Sequence, residues 1–233
     1  MTPSVSAWFE VYEENLCAAA SLSMTKELIL FLSITFAFPL FSHAGQCTKE
    51  EISDLKRSGF AQSEINQLCS EFHPDNYSIL NATKGNLNRD NIDDIVLVLK
   101  KDKEKEHWEG EYEFGDKRPL YLLIGQADGS YRLAAKSNNA VYCVHCGGIM
   151  GDPFDGITIK NGYFSVEHYG GSSWRWTRIV TFKYSPAEKK WFLHKDGGDY
   201  FHISESEKVE TKVKTVRDFG KISFEEYDIY REN

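Results

Sequence analysis

Asn86, Asn88, Asp90 and Asp94 place oxygen-bearing side chains within one short stretch, with the carbonyl of Ile92 between the last two. At positions 1, 3, 5, 7 and 9 of a loop, these groups would curl hard oxygen donors around one point, as a calcium ion requires. The competing reading is a metal-free Asx-rich turn, because Asn and Asp side chains close such turns on their own backbone. Cys143-Val144-His145-Cys146 has the spacing of a thiol redox pair. An attacking thiolate is usually stabilised at a helix N-terminus, and the following Gly147-Gly148 and Gly151-Asp152-Pro153 forbid a helix. A local disulfide stiffening a turn is therefore expected, with a thiol oxidoreductase as the alternative.

Zinc would need two more ligands beside that pair. No second Cys-x-x-Cys exists, so His168, His194 and His202 would have to converge on it through the fold. Asp152, Asp155 and Glu167 offer carboxylates near one another in the chain, the kind of pair a hydrolase uses as acid and base. The stretch 151–156 is better explained as turn chemistry, and there is no Gly-x-Ser-x-Gly elbow for an activated serine. Residues 163–201 are dense in aromatics. Strand alternation puts Trp174 and Trp176 on one face and Arg175 on the other. Buried, the pair is core. Exposed, Tyr169, Trp174 and Trp176 are the candidates for stacking on a sugar or peptide, approached through a flexible Gly170-Gly171-Ser172-Ser173.

The stretch from Asn86 to Asp94 resembles the Asp-x-Asp-x-Asp-Gly-x-x-Asp loops of FG-GAP and VCBS repeats, found in integrin-like propellers and bacterial secreted proteins. It is most similar to a group of exported bacterial proteins that carry such a loop ahead of a β-rich domain. The resemblance covers about residues 78–99. It implies a calcium ion, held weakly. Asn86 replaces the first aspartate and Asn91 stands at the usual glycine, where it would adopt the left-handed conformation. Only Asp90 and Asp94 bring charge to the donor set, with Asp93 nearby. Extracellular calcium modules work at roughly 0.1 to 1 mM.

The elements that position these residues begin with an export signal. Met24-Thr25-Lys26-Glu27 opens an apolar run over 28–40, and Ser42 and Ala44 are the small residues a signal peptidase reads. Residues 24–44 are expected to be a signal peptide, with 1–23 an upstream extension from a misplaced start. Gly45 and Gln46 separate the cleavage site from Cys47, so no lipid anchor is expected. Removing Cys17 leaves an even set, Cys47, Cys69, Cys143 and Cys146, read as Cys47–Cys69 and Cys143–Cys146.

Residues 45–75 read as a disulfide-closed helical hairpin, with Thr48 capping the first helix and Gly59 stopping it. Period-two patterning and hairpin turns then run over 76–203, across 127–130, Asn161-Gly162 and 185–190. Residues 204–233 are expected to return to the body through Ile222, Phe224 and Tyr227. The fold class is α+β, mainly β: an antiparallel sheet, as a sandwich or partial propeller-like unit, behind a small helical hairpin. With 27 Lys+Arg against 35 Asp+Glu, the net charge of −8 argues against a nucleic-acid partner. No apolar run reaches the length of a membrane span. The expected product is a non-enzymatic module of the periplasm or medium, binding an envelope protein or glycan.

Overall fold

The computed structural model describes residues 46–106 and 115–231. The expected export signal and upstream extension lie outside the described residues, as do Trp108 and Tyr112. Chain order within the described part begins with α1 (Lys49–Arg57) and α2 (Gln62–Glu71). Thr48 Oγ1 accepts from the Glu51 amide at 3.2 Å, while the Glu51 carboxylate accepts from Thr48 N at 2.7 Å. That reciprocal box satisfies donors that the first helical turn leaves open. Ala61 has no side-chain oxygen for the same task. Only the other half of the box is made there, with the Glu64 carboxylate accepting from Ala61 N at 2.6 Å.

The Cys47–Cys69 disulfide closes the hairpin with its Cα atoms 5.2 Å apart. Leu55, Phe60, Ile65 and Leu68 then form one buried cluster with Ile95, Leu97, Leu99, Tyr121 and Leu123. The helices thus dock on the outer face of a four-stranded antiparallel sheet ordered β1 (Tyr77–Gly85), β2 (Asp94–Lys101), β3 (Leu120–Gly125) and β4 (Tyr131–Ser137). Strand β2 is covered on both sides. Its odd-numbered residues meet the helices, and Val96 and Val98 meet a second sheet. Double coverage explains a continuous apolar run where a half-exposed strand would alternate.

The second sheet is also antiparallel, in the order β5 (Phe154–Lys160), β6 (Tyr163–Gly171), β7 (Trp174–Ser185), β8 (Lys190–His202) and β9 (Glu210–Thr215). Here the expected alternation is present: Phe164, Val166 and His168 are buried while Ser165, Glu167 and Tyr169 between them are less so. Phe164, Val166, Val180, Phe182 and Leu193 share a single core with Val96, Val98, Leu120 and Leu122 of the first sheet. Phe224, Tyr227 and Ile229, each no more than 1% exposed, close that core from the C-terminal segment. Two antiparallel sheets packed face to face, with a helical hairpin outside one of them, give the expected mainly-β α+β architecture in its sandwich form.

Two boundaries differ from expectation. The second sheet continues past residue 203, because residues 210–215 form β9 along the exposed edge of β8. The stretch 170–173 is a tight turn joining β6 to β7, not a flexible approach: Ser172 N donates to Trp174 O at 2.8 Å. Gly171 sits at φ +115°, and a side chain at Gly170 would collide with the Trp176 ring. Asn161 and Gly162, at φ 49° and 78°, make the expected hairpin turn with both central residues left-handed.

Candidate ligand-binding cleft

Beyond the shared core, the inner face of the second sheet runs on into solvent. Cross-strand pairing sets Trp176 beside Tyr200 and Trp174 beside His202, on the face that Val180 and Val166 use in the core. The Trp174 and Tyr200 rings lie parallel, 5.0 Å apart with planes 3° off, and His202 meets Trp174 edge-on at 4.9 Å. Trp174 is 50% exposed and Tyr200 44%. Beside them opens a cleft of about 390 Å³, lined by Trp176, Tyr200, Arg178, Asp196, Lys212 and Tyr142 among others.

The floor of the cleft is a closed polar network. Arg178 holds Asp196 with two parallel bonds, Nε to Oδ1 at 2.8 Å and Nη2 to Oδ2 at 2.7 Å. Its Nη1 donates to the Ile229 carbonyl at 3.0 Å and to the Tyr142 hydroxyl. The Tyr227 hydroxyl completes the set by donating to Asp196 Oδ2 at 2.9 Å. Burial, reinforced by Asp196, pushes the Tyr227 hydroxyl well above the ordinary phenol range despite the nearby guanidinium, so it stays a donor. A bidentate pair whose five guanidinium N–H groups are all engaged is rigid, and it positions Tyr142, whose ring meets that of Trp176 edge-on at 5.8 Å.

Of the sequence candidates, Trp176 lines this cleft, and Trp174 stands beside it on the same face, stacked on the lining residue Tyr200. Tyr169 pairs with Thr177 and stands on the opposite face of the sheet, so it does not join them. Tyr142, Arg178, Asp196 and Tyr200 were not singled out as site residues. A signal for them existed: Gly197-Gly198 inside a strand marks a place where another backbone approaches closely. A side chain at Gly198 would lie 2.0 Å from the Thr177 carbonyl.

The β1–β2 loop, residues 86–93, closes on itself. Asn86 Oδ1 accepts from Arg89 N at 2.6 Å, Asn88 Oδ1 from Asp90 N at 2.9 Å and Asp90 Oδ1 from Ile92 N at 2.8 Å. The amide nitrogen of Asn86 donates to the Asp90 carbonyl, and that of Asn88 to Asp90 Oδ2. Asp94 is fully buried and both its oxygens are taken, by Leu87 N at 2.7 Å and Gly125 N at 3.0 Å. Burial pushes its carboxyl up to about 6, against these amide bonds and with the charge of Asp90 adding to the rise. The left-handed residue is Arg89 at φ 66°, and Asn91 is not among the residues of positive φ. The expected position of the turn thus moves by two residues.

As they stand, Asn86, Asn88 and Asp90 spend side-chain oxygens on the loop's own amides. A calcium ion would need each asparagine amide to turn over, so that oxygens of Asn86 and Asn88 replaced the nitrogens that now donate to Asp90. Asp94 stands behind these residues as a strut. The exchange breaks the turn bonds accepted by Asn86 and Asn88, so an ion would compete with the self-closed loop.

Cys143 and Cys146 form a disulfide within a turn, with Cys146 N donating to Cys143 O at 3.1 Å. The histidines do not converge. His168 is 2% exposed on the inner face of β6, with Nε2 accepting from Tyr142 N at 3.3 Å. Burial pushes it down to about 3, and it is neutral at physiological pH. His202 bonds Ser204, and His194 packs on Tyr163. The carboxylates go separate ways. Asp152 grips the buried Arg118 with two bonds of 2.7 Å, Glu167 accepts from Thr158 Oγ1 at 2.7 Å, and Asp155 is exposed.

Among the described residues, one group has metal-ligand geometry: Cys47, Glu51 and His73. The Cys47 sulfur is bonded to Cys69 and offers no thiolate, while Glu51 is engaged by Ile79 N at 2.6 Å and by His73 at 3.1 Å. Two disulfides fit an oxidising compartment. No helix among the described residues is long and apolar enough to cross a membrane. Compared with family models, curated proteins and solved structures, the chain matches none.

Proposed function

We propose that this protein is an exported, non-catalytic binding module that seats an envelope glycan on the Trp174–Tyr200 platform. The observation that carries this reading is two large rings held parallel and half exposed at the mouth of a cleft. Exposed aromatic faces of this kind pack on the apolar faces of sugar rings, and charged groups in the cleft bond the hydroxyls. The Arg178–Asp196 pair is already satisfied, so it supports orientation of a ligand better than proton transfer to one. A hydrolytic reading has less to draw on, since Asp152 has both oxygens on Arg118.

The reading is tested by titrating oligosaccharides from peptidoglycan and lipopolysaccharide while following tryptophan fluorescence. Saturable quenching that disappears in Trp174→Ala is the expected result. Binding of a protein partner through the same platform, with no glycan response, would transfer the site to the alternative ligand class. The β1–β2 loop is, on this reading, a weak structural calcium seat. Calcium at millimolar concentration should then raise the melting temperature, and Asp90→Ala should abolish the rise.

A further inference from the structure

The outer face of the second sheet carries a cluster that the glycan reading does not use. A cleft of about 400 Å³ opens there, lined by Arg89, Lys183, His194, Phe192 and Lys221 among others. Tyr163 is the hub of the cluster. The Arg89 guanidinium lies 5.8 Å from its ring centre, the Lys183 ammonium 5.5 Å, and the His194 ring 5.3 Å.

Among the described residues, neither Arg89 nor Lys183 has a carboxylate partner in an ion pair. Glu188 is the acid lining the cleft, and it is held by Lys221 at 2.5 Å. Uncompensated cations stand out on a chain whose net charge is −8. The local positive field also acts on His194, which is held below the ordinary imidazole range by partial burial and then by Lys183 and Lys195.

Arg89 is built into position, unlike a free surface arginine. Its stem lies over Gly162, where an added side chain would come within 2.8 Å of Arg89 Cγ, and its Nε donates to the Asn161 carbonyl at 3.2 Å. One donor fixes the fork, and the remaining N–H groups are presented outward. Gly162 N in turn donates to the Asn86 carbonyl at 2.9 Å, so the β1–β2 loop and the β5–β6 turn hold the guanidinium between them. A fixed guanidinium and a lysine that line one cleft of this size can recognise a compact oxyanion.

We propose that Arg89 and Lys183 form a second binding site, for the phosphate or sulfate group of an anionic ligand, on the outer face of the second sheet. This site is independent of the Trp174–Tyr200 platform, because it lies on the opposite face of the same strands.

The test is an NMR titration of the purified protein with sodium phosphate and with sodium sulfate, against sodium chloride at equal ionic strength. Saturable shifts centred on Tyr163 and His194 in the oxyanion arms are expected, with affinity falling roughly tenfold in each of Arg89→Ala and Lys183→Ala. Trp174→Ala should leave these shifts unchanged. Both cationic side chains are exposed, and a melting temperature within a degree of wild type will show that each variant is folded.

Vesicles of phosphatidylglycerol, against phosphatidylcholine alone, separate the sources of the phosphate. Binding to the anionic vesicles that is lost in the double variant R89A/K183A assigns a lipid headgroup. Shifts with the free ions and no vesicle binding assign a soluble ester. Shifts that follow ionic strength alone, or that survive in the double variant, would overturn the proposal.

Discussion

The two sheets differ in how far they are covered. The first is covered on both faces of β2, and its buried charges are fully committed: Asp94 to two backbone amides, Arg118 to Glu104 and Asp152. The second is covered on one face only, and that inner face outruns the core to leave Trp174 and Tyr200 half in water. The difference separates a structural half from the half that we propose recognises a ligand. Groups locked by burial hold the frame, and groups beyond its edge remain available for a ligand.

The sharpest way to break this comparison is to remove Arg118. The guanidinium is fully buried and the Glu104 carboxylate is 5% exposed, 2.6 Å away. Arg118→Leu leaves that carboxylate without its counter-charge and should cost about 3–5 kcal/mol in urea unfolding. A loss within about 0.5 kcal/mol, the range of an ordinary surface substitution, would mean that the buried charges do not hold the first sheet.

Opening the Cys47–Cys69 bridge is next in size. It closes a separation of 22 residues. The double variant C47S/C69S should lose about 3 kcal/mol through the freed unfolded chain. Far-ultraviolet dichroism should show helix lost and strand retained, because the hairpin packs on the sheet from outside. Loss of both together would contradict a layered architecture.

Asp94 sharpens the comparison through pH. Its folded pKa, about 6, lies above the ordinary 3.8, so the fold favours the protonated form. That contribution to stability is fully present below about pH 4 and is lost as pH rises through about 6. In wild type with a chelator, the part of the stability–pH curve between these values should slope downward, and Asp94→Asn should flatten it. An unchanged slope in the variant would assign the titration to another group.

The smallest expected effect is that of calcium. At five times its dissociation constant, an ion bound to the native state adds about 1 kcal/mol. A rise of a few degrees that Asp90→Ala removes is predicted. No rise would leave the loop a self-closed Asx turn, pinned to the second sheet by Arg89.

Much of the frame was legible from local chemistry. Thr48 and Glu51 announce a helix start, Asn161-Gly162 a hairpin, and the apolar run 95–99 a buried strand. Each signal lies within a few neighbouring residues. The cleft was legible only in Trp174 and Trp176, because the rest of it is made by register. Nothing local says that residue 200 pairs with 176, or that Tyr227 returns to Asp196. The Arg118 clamp joins positions 104, 118 and 152 through the fold, and its acid looked in sequence like part of a catalytic group. Tyr169 was misplaced for a related reason: a tight turn follows β6, and alternation puts Tyr169 on the face away from Trp176.

The claim that the second sheet is the recognising half is tested most directly by comparing wild type with Trp174→Ala and Tyr200→Ala in glycan titrations followed by tryptophan fluorescence. Both side chains are half exposed, so each variant should melt within a degree or two of wild type. The account predicts saturable binding in wild type, weakened about tenfold or more in each variant. Equal affinity in all three proteins would contradict it, as would no response to any glycan or protein ligand.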